Sequence, residues 1–140
     1  MKRNIFITID QSINNTDNIH ITQIGSIVNH SCDSININCL EYIDQKDHSV
    51  VLSNLLNKLR PNGKLIIKAN NAESIAIRFL QRSISEQDFL SFFTNKRSLV
   101  SVESVYTLID FQVFDLIDLD ITDNTIKITI ERKNYEQYTM

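Results

Sequence analysis

Glycine and proline, the residues that punctuate a chain, are almost missing: two glycines and one proline in 140 residues. A glycine-rich loop that brings backbone against a phosphate or cofactor is thereby excluded. Gly25 and Gly63 stand far apart, and neither opens a helix after an early strand. Tryptophan is absent and cysteine is limited to Cys32 and Cys39, too few for a disulfide framework and suited to a reducing, cytoplasmic setting. With His30 they supply soft ligands, but no Cys-x-x-Cys or His-x-x-x-His spacing supports a closed metal site. Positive charge is not in excess. A net charge of −3 and a pI of about 5.5 provide no global field for nucleic acid or anionic lipid. No hydrophobic run is long enough to cross a bilayer, and the segment after Met1-Lys2-Arg3 is interrupted by Thr8 and Asp10, unlike a signal peptide.

What is present suffices for one domain. With 42% hydrophobic residues, positions 1–133 can bury a core without disulfides or metal, and 134–140, with Tyr135 and Tyr138, reads as a polar tail. Ile5, Ile7 and Ile9 alternate with Phe6 and Thr8 in a strand ending at Asp10, followed by a polar loop from Gln11 to Asn18. Ile19, Ile21 and Ile24 mark a second strand, with His20 and Thr22 on its other face. Ile35, Ile37 and Cys39 mark a third, with Asn36 and Asn38 opposite. Parallel strands covered by helices on both faces are continuously apolar. These alternate, so the sheet is expected to be covered on one side only. The stretch from Asp10 to Ile19 is also shorter than the dozen or so residues that a helical crossover needs.

Downstream, Asp47 is expected to cap a helix running to Leu59, with Val51, Leu52, Leu55, Leu56 and Leu59 at helical spacing. Pro61 cannot continue it, Asn62-Gly63 can take the positive φ of a reversal, and Leu65 to Lys68 reads as a short buried strand. Asn71 caps a helix striped by Ile75, Ala76, Phe79 and Leu80. Ser85 and Asp88 have capping-box spacing ahead of Phe89, Leu90, Phe92 and Phe93, aromatic mass expected in the core. Ser101 starts a helix bearing Val102, Val105, Tyr106 and Ile109. Val113 to Ile121 and Thr125 to Glu131 then form a hairpin turning at Thr122-Asp123-Asn124.

Leu59-Arg60-Pro61-Asn62-Gly63 before Leu65-Ile66-Ile67, the stretch Asp33 to Ile43 with Leu40-Glu41-Tyr42, and the closing hairpin together resemble the second half of a class I S-adenosylmethionine-dependent methyltransferase. In that family a seven-stranded sheet ends in an antiparallel hairpin, and a Leu-Lys/Arg-Pro-Gly-Gly-type turn precedes the fifth strand. The likeness runs from Asp33 to Glu131. It implies a Rossmann-like α/β sheet, mostly parallel with a C-terminal antiparallel hairpin, missing the first strand and the glycine-rich loop that holds the cofactor. On that alignment Ile5 to Ile9 is the second strand and Asp10 is the acid that grips the cofactor's ribose. If Ile5 to Ile9 is instead the first strand, Asp10 to Asp17 replaces the glycine-rich loop and Asp10 loses that role; an aspartate there also suits plain turn chemistry. Asn38 and Glu41, at the carboxyl end of the fourth strand, are the other cofactor-site candidates. Gln23-Ile24-Gly25-Ser26 holds no acid where the family contacts adenine.

The resemblance thus implies a methyltransferase-like domain without catalytic capacity alone, acting as a binding or interaction module. S-adenosylmethionine enters only by likeness. The alternatives are a transferase completed by a partner or second subunit, and a crevice reused for another small ligand. Cys39 reads as a small buried residue, and Lys64, Lys68, Lys96 and Arg97 as a solvated face. A sheet with incomplete cover exposes an edge, so a homodimer through Ile5 to Ile9 or Ile19 to Ile24 is expected.

Overall fold

The computed structural model describes residues 3–9, 17–122 and 124–134. Its frame is a six-stranded sheet of β1 (Asn4–Thr8), β2 (Asn18–His20), β3 (Cys32–Ile37), β4 (Leu59–Asn70), β5 (Phe114–Ile121) and β6 (Thr125–Arg132). The order across the sheet is β2-β1-β3-β4-β6-β5. Strands β2, β1, β3 and β4 are parallel, and β6 is antiparallel to both β4 and β5. The chain leaves β1 on one side to form β2, then returns past it to β3. Winding therefore reverses between β1 and β3, both of which are interior strands.

The alternation read in the sequence becomes two unlike sheet faces. Ile5, Ile35, Leu65 and Ile130 lie in register across four strands, as do Ile7, Ile37, Ile67 and Ile128, and all eight are buried. Helix α1 (His48–Asn57) adds Leu52, Leu55 and Leu56 to this cluster, the 3₁₀ turn Ile21–Ser26 adds Ile24, and α4 (Val102–Tyr106) adds Val105. The opposite row runs Asn18, Phe6, Asn36, Ile66, Thr129 and Asp118. There Phe6 is 50% exposed, and Asn38, Lys64 and Lys68 are exposed beside it. The apolar face thus has its cover, while the other meets water over β1, β3 and β4.

Several elements differ from their sequence expectation, each for a local reason. The second strand stops at His20, because Ile21, Ile24 and Ile27 recur every third residue, the period of a 3₁₀ turn. There the His20 ring accepts a hydrogen bond from the Thr22 backbone. The third strand ends at Ile37, so Asn38 and Cys39 lie beyond it. Asp47 makes no side-chain cap bond, since a 3₁₀ turn, Gln45–Asp47, leads into α1, and Leu59 already belongs to β4. The Pro61 segment is a bulge inside β4 rather than a free reversal: Cys32 pairs with Leu59 and Ser34 with Lys64, leaving residues 60–63 unmatched. Asn62 alone takes the positive φ, at 67°, and Gly63 does not.

The caps at Asn71, Ser85 and Ser101 are as expected. Asn71 Oδ1 accepts from Ser74 N at the start of α2 (Ala72–Leu80), and Ser85 Oγ accepts from Asp88 N at the start of α3 (Glu86–Ser91). Ser101 and Ser104 exchange bonds at α4. The aromatic mass is not core: Phe89 stacks on Phe79 at 4.3 Å and meets Phe93 at 5.1 Å in a half-buried satellite. Most of the 134–140 tail lies outside the described residues.

Candidate functional site

In an open α/β sheet, ligands bind beyond the carboxyl ends of the strands, where the winding reverses. Here that point is the end of β1 and β3. His20 closes the β2 side, with Nδ1 accepting from Thr22 N at 3.2 Å and Nε2 donating to Ile9 O at 3.1 Å. A shallow cleft of about 210 Å³ opens on the polar face, lined by Phe6, Thr8, Asn18, Asn36, Asn38, Ile66 and Lys68 among others. Among the described residues, the side chains of Asn36, Asn38 and Lys68 make no hydrogen bond or ion pair.

The three sequence candidates separate. Asp10 lies outside the described residues. Asn38 is exposed on the cleft. Glu41 is 3% exposed and lines no part of it. Its Oε1 accepts from Asn70 N at 3.1 Å and meets Lys96 Nζ at 3.3 Å, while its backbone carbonyl accepts from Arg97 N at 2.8 Å and Ser98 N at 3.1 Å. Lys96 also stands 5.4 Å over the Tyr42 ring. Glu41 thus ties the 3₁₀ turn Leu40–Tyr42 to the end of β4 and to the 96–98 segment. Lys96, expected on a solvated face, is instead only 12% exposed, with its side chain packed against this carboxylate.

A neighbouring clamp was not foreseen. Buried His48 donates from Nε2 to Leu40 O at 2.9 Å and Ser98 Oγ at 2.8 Å, and Nδ1 accepts from Gln45 Nε2 at 3.4 Å. Gln45 and Leu40 are near in sequence, but Ser98 comes from 50 positions away, so spacing in the sequence carries no sign of the complete clamp. Cys39 is buried, and desolvation pushes its thiol up to about 11, which makes it a poor nucleophile at neutral pH. Among the described residues no group of three or more His, Cys, Asp or Glu side chains can hold a metal, and no helix is long and apolar enough to cross a membrane.

Neither glycine forms a cradle for a cofactor. A Cβ on Gly25 would meet nothing within 4 Å, so no close approach requires it. Gly63 lies near the start of β4, away from the carboxyl ends, and a Cβ there would strike the chain's own backbone. The residues present therefore do not fit the S-adenosylmethionine cradle that the resemblance calls for.

No family profile matches the sequence, and no curated protein does. Solved structures do match. PH0226 protein from Pyrococcus horikoshii superposes with a TM-score of 0.66 at 13% identity, over 93% of this chain and 72% of that one. The plantazolicin methyltransferase BamL, solved with SAH, gives 0.64 at 9% identity over 94% and 68%. An S-adenosylmethionine-dependent methyltransferase from Mesorhizobium loti gives 0.59 at 8% identity over 93% and 81%. The fold is that of the class I methyltransferases. At these identities the likeness extends to the fold and no further.

Proposed function

We propose that this chain is a methyltransferase-like domain that does not transfer methyl groups alone and serves as a binding or interaction module. The observation that carries this reading is the position of β1. It lies inside the sheet beside β3, at the winding reversal, which is the place of a first strand in a doubly wound sheet. On this reading Asp10 to Asp17, which contains no glycine, stands where the family has its glycine-rich loop. The missing strand is then an outer one beyond β2 rather than the first, and Asp10 loses its proposed role on the ribose.

The alternative, a transferase completed by a partner or second subunit, finds less support. A complementing half would bury the open face, and a buried face of a parallel sheet is apolar; this one carries Asn36, Asn38, Lys64 and Lys68. Self-association remains part of the proposal, with its contact moved to the outer edge of the three-residue strand β2. The side chains of Ile5, Ile7, Ile19 and Ile24 are all core. Calorimetric titration with S-adenosylmethionine and S-adenosylhomocysteine tests the main reading. No saturable heat at micromolar concentration is expected, and saturable binding or methyl transfer to an acceptor panel overturns it.

A further inference from the structure

The polar face holds two unusual juxtapositions. Phe6, the aromatic ring of β1, is half exposed in the middle of a sheet, with Asn18 and Asn36 in register on its two sides and Ile66 one strand further. Lys68 and Lys127 are direct cross-strand partners on β4 and β6. Like charges placed opposite each other are unfavourable, and among the described residues neither lysine forms an ion pair. The carboxylates facing this region are Asp118, opposite Thr129, and Asp120, opposite Lys127, both on the edge strand; Glu131 lies opposite Lys64 and Asp115. Among the described residues, no carboxylate stands between Lys68 and Phe6 in the strand register. From strand spacing and rise, the backbone positions of Phe6 and Lys68 are about 12 Å apart, within the combined reach of a base, a ribose, a phosphate and a lysine side chain.

We propose that this face binds a nucleotide. The base stacks on Phe6 against Ile66, the unengaged amides of Asn36 and Asn38 meet its hydrogen-bonding edge, and the phosphate neutralises the Lys68–Lys127 pair. An aromatic ring on an open sheet face suits a flat heterocycle, and every base offers a π-face for it. The net negative charge of the chain does not oppose this, because the recognition is local. The ligand is a free nucleotide or one unit of a single strand. The cleft includes Asn38, one of the cofactor-site candidates, but the proposed contacts run along the polar sheet face, and the proposal does not depend on the absence of methyl transfer.

The test is NMR titration of the intact chain with adenosine monophosphate, adenosine and a tetra-adenylate. Millimolar adenosine monophosphate should shift the Phe6 ring and the side-chain amides of Asn36 and Asn38. Adenosine should bind several-fold more weakly. Phe6→Leu should weaken binding about tenfold, as expected for one lost base–aromatic stack, and Phe6→Tyr should restore it. Lys68→Gln combined with Lys127→Gln should remove the advantage of the phosphate. Tighter binding of the tetra-adenylate identifies a strand as the ligand, and equal binding a free nucleotide. Unmoved Phe6, Asn36 and Asn38 signals overturn the proposal, as do equal affinities for adenosine and its monophosphate or undiminished binding by folded Phe6→Leu.

Discussion

Gly63 is held against the carbonyl oxygens of Cys32 and Arg60, which a Cβ would approach to 2.7 and 2.8 Å. Both are backbone atoms and cannot swing aside, so Gly63→Ala should cost about 1–3 kcal/mol, the range for overpacking. Asn62→Gly should change stability by less than about 1 kcal/mol, because glycine accepts the positive φ of Asn62; urea melts of both variants check the contrast. Glu41 is a buried charge in contact with one cation and one backbone donor. Removing it strands Lys96, so Glu41→Ala should lose about 3 kcal/mol in the same melts. Cys39 supplies a pH signature. Its thiol is raised from 9.0 to about 11 by desolvation, so the folded state retains the proton that the unfolded state releases between those values. The stability from this group is complete below about pH 9 and falls as the pH rises toward about 11. Denaturation midpoints of the native chain and Cys39→Ala should therefore converge as the pH rises from 8.

At the scale of elements, the caps and the sheet faces answer to different influences. Asn71 satisfies the amide of Ser74 at the head of α2 through a local bond, and Asn71→Ala should cost about 1 kcal/mol, with the loss visible in the thermal midpoint. Strand β5 is an edge kept from pairing by Asp115, Asp118 and Asp120 and by the register shift between Leu116 and Asp118. Strand β2 has three residues and no comparable bulge in its pairing with β1. It is the edge at which a second copy would add.

For the whole molecule, this asymmetry leads to a measurement. A dimer built on β2 should appear in sedimentation at micromolar concentration, and a strictly monomeric species removes self-association from the proposed function. Ile7→Lys is unsuitable as a probe of that interface because Ile7 is 2% exposed and its substitution would disrupt the core.

Alternation in β1 and β3, the caps at Asn71, Ser85 and Ser101, and the closing hairpin were legible in the sequence. Each is set within a few residues, by which side chains face water and which local donors need acceptors. The shortage of glycine was likewise legible. Sequence could not place β1 inside the sheet, because strand order depends on contacts among residues 5, 35 and 65 that no local pattern encodes. Nor could it separate Asn38 from Glu41, three residues apart: the turn Leu40–Tyr42 sends one toward solvent and folds the other against Lys96, 55 positions away. Lys68 and Lys127 became neighbours in the same way, through antiparallel pairing of β4 with β6, so the charge pair exists only once the sheet has assembled.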